Sequence, residues 1–173
     1  NRKHLGYISG RLSNQNAEMR CRVFKEVMEK NGFTPEQYHI VEGDFGSSSE
    51  EASRKMFEEF PEVDALVCGN DVIGYGAYHV ITERGLKIGE DIAVLGFDDS
   101  PYSRELSPGL ATVRGASDML GYEAVKACQR VLNGEKVQIL IPTVLVPRES
   151  CGCHEVSDQL QRDELMSMLE REA

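Results

Sequence analysis

The chain has 173 residues, 40% of them apolar and 28% charged, the make-up of an ordinary globular protein with room for one compact core. Nineteen basic residues against 29 acidic ones give a formal net charge of −10, so this segment lacks the basic face that gripping nucleic acid requires. No apolar run approaches membrane-spanning length and no signal peptide opens the chain, so no membrane partner is expected. A strand follows Asn1 almost at once, and the chain reads as an excised piece.

Residues 5–9 are a short apolar run, the first expected strand, and residues 10–16 a polar loop. The helix that follows is expected to reach about Asn31, with Met19, Val23, Phe24, Val27 and Met28 as one buried stripe. Gly32, with Phe33 behind it, is a stop signal. Residues 38–41 read as a second strand and 42–46 as a loop. Ser48 and Glu51 have capping-box spacing and open a helix carrying Ala52, Met56, Phe57 and Phe60, which Pro61 stops. Residues 64–68 form an apolar run typical of a strand buried on both faces. Gly69, Asn70 and Asp71 break it. Ile73, Ala77, Val80 and Ile81 then recur at helical spacing as far as Arg84, with Gly85 where a helix commonly ends in a left-handed residue. Residues 92–97 are another buried strand, ending on Asp98 and Asp99.

Successive strands begin roughly 30 residues apart with a helix between each pair, the signature of parallel βαβ units. The predicted fold class is α/β: a parallel βαβ three-layer sandwich, flavodoxin-like, with strand order 2-1-3-4 and right-handed crossovers. Beyond Asp99 the pattern changes. Residues 100–109 hold two prolines and read as loop, and residues 111–114 as a brief extended piece. Residues 117–133 form a helix with Leu120, Ala124, Ala127, Cys128, Val131 and Leu132 on one side, closed by Gly134. Residues 137–146 are extended and apolar, and residues 155–173 polar and helical, fitting a heptad only loosely.

In this strand order the topological switch lies between the first and third strands, where open parallel sheets bind ligands. The loops meeting there span residues 10–16, 69–71 and 98–99, with Arg20 just inside the first helix. A cation near a helix N-terminus opposes the macrodipole, so Arg20 is either a ligand contact or half of a surface ion pair with Glu18 or Asp98. Asn70 offers a donor and an acceptor on one amide, yet also sits where a helix cap belongs. A phosphoacceptor or magnesium phosphatase of this fold would need an acid after the first strand, and here Ser9, Gly10 and Arg11 stand there. No serine–histidine pair at catalytic spacing, Walker loop or GxGxxG is found. No enzyme activity and no cofactor are expected.

The five cysteines show no framework spacing, and an odd count favours a reducing, cytoplasmic setting. Cys21, Cys68 and Cys128 read as small core residues. Cys151, Cys153 and His154 offer three soft donors without a partner cluster, so the expectation is a terminal turn with free thiols and no metal.

Several runs carry a family resemblance: Gly69-Asn70-Asp71 opening a helix, Glu83-Arg84-Gly85-Leu86, and Gly96-Phe97-Asp98-Asp99. To these are added Leu106-Ser107-Pro108-Gly109-Leu110-Ala111-Thr112-Val113-Arg114, Gly121 inside the next helix, and Val146-Pro147-Arg148-Glu149-Ser150. With His4-Leu5-Gly6-Tyr7-Ile8-Ser9-Gly10 they resemble the effector-binding core of LacI/GalR transcription regulators, of the type I periplasmic-binding-protein-like class. The likeness implies a partial effector-binding domain over residues 1–153 and a helical tail or linker over 154–173. The ligand is a sugar or purine-like molecule held between two lobes, of which this chain matches the second. By this resemblance Arg20 donates to effector hydroxyls or carboxylates, Asp98 accepts from ligand hydroxyls, and Asn70 faces the same cleft. Phe45 packs on a sugar or base, or is a half-buried loop anchor. Asp99 is read as structural, and Gly115 and Ser117 stand where some members place larger contacts. Homodimerisation is implied, with residues 72–84 as the candidate face, and DNA binding through a domain absent from this chain. The tail allows an alternative output, a downstream cyclase or kinase.

Overall fold

The computed structural model describes residues 2–46 and 48–152. The chain runs β1 (Leu5–Ser9), α1 (Gln15–Lys30), β2 (Tyr38–Glu42), α2 (Ser49–Glu59), β3 (Ala65–Cys68), α3 (Asp71–Glu83) and β4 (Ala93–Leu95). The strands form one parallel sheet in the order β2-β1-β3-β4, with Leu5 beside both Tyr38 and Ala65, and Ala65 beside Ala93. That is the order read from the spacing of the apolar runs.

Alternation along β1 sorts the core. Tyr7 faces α1, where Phe24 stacks on it with ring centroids 4.8 Å apart. Gly6 and Ile8 face α2 and α3: a Cβ on Gly6 would meet Leu66, Met56 and Val63, and Ile8 joins Met56, Phe57, Ile73 and Ile81 in the larger core cluster. Helices α2 and α3 touch closely because Gly76 lets them; a Cβ there would lie 2.7 Å from the backbone carbon of Ser49. Over β3 and β4 the face on the α1 side is an apolar hollow of about 210 Å³, lined by Ala65, Val67, Ala93, Leu95 and Leu145 among others.

Beyond β4 come a 3-10 turn (Pro101–Arg104), β5 (Thr112–Arg114), α4 (Ser117–Leu132), β6 (Val144–Val146) and a second 3-10 turn (Glu149–Cys151). β5 and β6 pair antiparallel, and a bridge from Leu95 to Ala111 ties them to the main sheet. They are the two legs of an excursion that carries α4 away from the sheet. No side chain described in α4 is buried: Leu120 is 61% exposed, Val131 56% and Leu132 85%.

Several expectations are corrected. The buried face of α1 is Ala17, Cys21, Phe24 and Met28, while Met19, Val23 and Val27 are exposed. Two apolar rows run along this helix, and the row with small residues in its first turns is the one that seats closely on β1. The capping box does not form: Ser48 makes no side-chain cap bond at α2, and its own amide donates to Asp44 Oδ1 at 3.2 Å. β4 is confined to three residues, and of the extended run 137–146 only Val144–Val146 pairs as strand. Cys128 is exposed rather than a core residue. Cys151 is disulfide-bonded, not a free thiol. The remainder of the Cys-Gly-Cys-His run and the predicted tail helix lie outside the described residues.

Candidate functional site

The carboxyl ends of β1, β3 and β4 and the loop after β2 bring Arg20, Phe45, Asn70 and Asp98 into one neighbourhood. Asn14 starts α1 by accepting from the amides of Asn16 (2.9 Å) and Ala17 (3.3 Å), which sets Arg20 over the ends of the sheet. Arg20 Nη1 donates to the Gly69 carbonyl at 2.6 Å. Its guanidinium lies 3.8 Å from the centroid of the Phe97 ring and 5.9 Å from that of Phe45. Arginine stacked on an aromatic face keeps its charge while its planar edge stays free to donate. Among the described residues Arg20 forms neither of the ion pairs open to it; Glu18 lies 3.9 Å from Arg22 instead.

Asn70 is 8% exposed and caps α3, its Oδ1 accepting from Ile73 N at 2.9 Å. Its Nδ2 makes only a long 3.4 Å bond to the Phe45 carbonyl. The cap is therefore real, and the amide donor is the half of Asn70 that a ligand can recruit. Phe45 is half-buried. Its ring covers Gly10, where a Cβ would lie 2.5 Å from the ring, and comes within 3.3 Å of the Cβ position at Gly69. Glycine at both sites leaves the room for the far edge of the ring to close on the strand ends.

Asp98 sits at φ 118° and Asp99 at φ 54°, conformations that L-residues adopt at a cost of about 1–3 kcal/mol each. Asp98 is exposed at its tip. Partial burial pushes its carboxyl above the usual range, Arg20's charge pulls it back, and Asp71 pushes it up again.

Behind Asn70 and behind Asp98 stands a buried acid. Asp71, 1% exposed, follows Asn70 and accepts from Ser100 N (2.8 Å), Ser100 Oγ (3.0 Å), Ser103 Oγ (2.7 Å) and Thr112 Oγ1 (2.6 Å). Asp99 follows Asp98, with its side chain 1% exposed, and takes Arg148 and Arg114 at 2.5 Å each and Arg104 at 3.3 Å. Burial pushes the Asp99 carboxyl up, but hydrogen bonds from Arg148 and Arg114 outweigh it and hold the group below the usual range. Sequence reading named Asp99 as structural without its partners, and missed Asp71 altogether. The partners lie 5 to 49 residues away along the chain, so no local spacing reveals them.

Beside Phe45, on the side of the loop after β1, an open cavity of about 570 Å³ is lined by Arg11, Ser13, Asn14, Asp44, Phe45 and Gly46. Arg11 reaches Asp44 at 3.5 Å across it. Among the described residues no group of three or more metal-ligating side chains occurs, and no helix is long and apolar enough to cross a membrane.

The strand ends at the switch point thus gather a stacked arginine, an amide and an acid. The chain belongs to the periplasmic binding protein-like domain family, whose model matches residues 2–151. It is similar to the HTH-type transcriptional repressor PurR of Haemophilus influenzae, 33% identical over 124 residues, covering 71% of this chain and 37% of the relative. The HTH-type transcriptional regulator CelR of Thermobifida fusca is 28% identical over 135 residues, covering 76% and 40%. The Lac repressor dimer bound to operator and the anti-inducer ONPF superposes with a TM-score of 0.80 at 28% identity, covering 87% of this chain and 46% of that one. A CelR–cellobiose complex superposes with a TM-score of 0.76 at 25% identity, covering 86% and 47%. These matches bear out the LacI-type resemblance and the α/β parallel fold. The chain spans well under half the length of the curated relatives it matches.

Proposed function

We propose that this chain is the ligand-sensing part of a LacI-type transcriptional regulator. It binds a small hydroxyl- or amide-bearing molecule, a sugar or a purine-like base, and passes the binding to an output domain. What supports the reading best is the meeting of Arg20, Phe45, Asn70 and Asp98 at the strand ends of a fold shared with regulators of this class. Arg20 and the Asn70 amide supply donors, Asp98 an acceptor, and the Phe45 ring an apolar plate. This set suits a polar ring compound and contains no nucleophile or paired acid–base, so the role is recognition and not catalysis. In this reading residues 1–153 act as one effector-binding unit in the cytoplasm. DNA is contacted by a domain outside this chain, and the protein works as a homodimer. Binding works by population shift between two arrangements of the lobes.

The test is calorimetry on the intact protein against a panel of disaccharides, cellobiose among them, and purine bases. The expected result is binding by one class that Arg20→Ala and Asp98→Ala each weaken at least about tenfold, as loss of a charged hydrogen bond would. Affinity unchanged in both variants overturns the site.

A further inference from the structure

We propose that Asp99 is the positioning residue that locks Asp98 into the site and joins it to both legs of the α4 excursion. The role of this lock towards an effector rests on the proposed function; the lock itself and its test do not.

One buried carboxylate collects an arginine from each leg. Arg114 is the last residue of β5, where the chain leaves for α4, and its Nε donates to Asp99 Oδ2. Arg148 lies two residues past the end of β6, where the chain returns, and its Nη2 donates to Asp99 Oδ1. The other arm of Arg148 donates to the Leu110 carbonyl at 2.5 Å, just before β5. Arg148 thus holds the returning leg, the departing leg and Asp99 together. The backbone completes the frame: Asp98 N donates to Val113 O at 2.9 Å, and Asp99 N to Thr112 Oγ1 at 3.3 Å.

Asp98 and Asp99 both carry positive φ, a conformation held only where the surroundings over-determine it. Here the surroundings are the arginines on the Asp99 carboxylate and the bonds of the Asp98 and Asp99 amides to β5. Asp98 cannot change its backbone without rotating Asp99, and Asp99 cannot rotate without releasing a leg. The legs are the chain's only covalent links to α4, which no described neighbour buries. Charge-assisted guanidinium contacts to one buried carboxylate, one on each oxygen, have the directed geometry that such a coupling needs.

The experiment compares the chain with Asp99→Asn, and with Asp98→Asn as a control, without any ligand. Amide hydrogen exchange reads the legs. Spin labels on Cys128, the exposed free thiol of α4, and on Glu58→Cys of α2 read the helix position. Carboxyl carbon NMR reads the titration of Asp98, whose other charged neighbours are Arg20 and Asp71. In Asp99→Asn, exchange at Thr112–Arg114 and Val144–Val146 rises about tenfold or more while β1 and β3 stay protected, as expected for a local opening. The label distance distribution broadens, and Asp98 titrates closer to the ordinary carboxylate range. In Asp98→Asn exchange in the legs does not rise, and the distance distribution superposes on the parent's. General loss of stability would not move the Asp98 titration, so an unmoved titration, or a distance distribution that superposes on the parent's, overturns the proposal. Should Asp99→Asn fail to fold, Arg114→Met decides: faster exchange in both legs supports the lock, and faster exchange in β5 alone overturns it.

Discussion

Thr112 Oγ1 on β5 donates to the buried carboxylate of Asp71 across 2.6 Å, and the same oxygen accepts the Asp99 amide at 3.3 Å. One hydroxyl therefore joins the acid behind Asn70 to the acid behind Asp98. Thr112→Val keeps the shape, deprives Asp71 of a donor and leaves the Asp99 amide without its acceptor. The expected loss is about 1–3 kcal/mol, the usual cost of leaving buried polar groups unpaired. Urea unfolding measures it; a variant as stable as the parent would show the hydroxyl to be dispensable.

Asp98 combines an exposed carboxylate, the acceptor of the proposed site, with a backbone that glycine accepts more readily. Asp98→Gly should hold or raise stability by about 0.5–1 kcal/mol, because the positive φ no longer strains a side chain. The same substitution should abolish effector binding in calorimetry. A variant that loses stability and keeps its affinity would contradict both halves of the assignment.

The two neighbouring acids should respond to pH in opposite senses. Asp99 is held below its unfolded value, so its contribution is present above the ordinary aspartate range and is lost as pH falls through its folded value. Asp98 is held above its unfolded value, so its ionisation costs stability at neutral pH and the cost vanishes in acid. Asp98→Asn should therefore stabilise the fold at pH about 7 and do little at pH about 3, below the usual aspartate range. Asp99→Asn should destabilise at neutral pH, with the difference shrinking in acid. Denaturant midpoints across that window check both signs.

Gly10→Ala places a methyl group against the far edge of the Phe45 ring, 2.5 Å from its nearest atom. The ring can swing away, so the stability cost should stay at or below about 1–3 kcal/mol, the range for overpacking. The aromatic plate would no longer lie over the strand ends, and effector affinity should fall about tenfold, in line with a lost stacking contact worth about 1 kcal/mol or more. Near-UV circular dichroism and calorimetry read the two effects separately.

Helix α4 presents Leu120, Val125, Val131 and Leu132 to solvent at 56–85% exposure. Apolar rows of this size usually find a partner, at roughly 25 cal/mol per Å² buried. The 19.3 kDa chain should scatter light at micromolar concentration as a dimer or larger assembly, and Leu132→Glu should shift it toward monomer. A clean monomer mass for the parent chain would refute this.

The βαβ rhythm, the strand order and the neighbourhood of Arg20, Asn70 and Asp98 were legible in the sequence. Each rests on local signals: apolar runs of strand length, stop signals at Gly32 and Gly85, and polar residues directly after buried strands. Strand ends meet at the switch point whatever the side chains do, so topology alone brings those loops together. The sequence could not say which of two apolar rows on α1 would seat on β1, because both have helical spacing and only packing distance separates them. Nor could it reveal that Arg20 would stack on Phe97, or that Asp71 would gather Ser100, Ser103 and Thr112. It could not show Asp99 gathering Arg104, Arg114 and Arg148. The carboxylate contacts join residues up to 49 apart along the chain, and the stack joins residues 20 and 97. A buried carboxylate is stable only where the completed fold delivers its donors, so its partners are decided by tertiary structure and by nothing nearer in the chain.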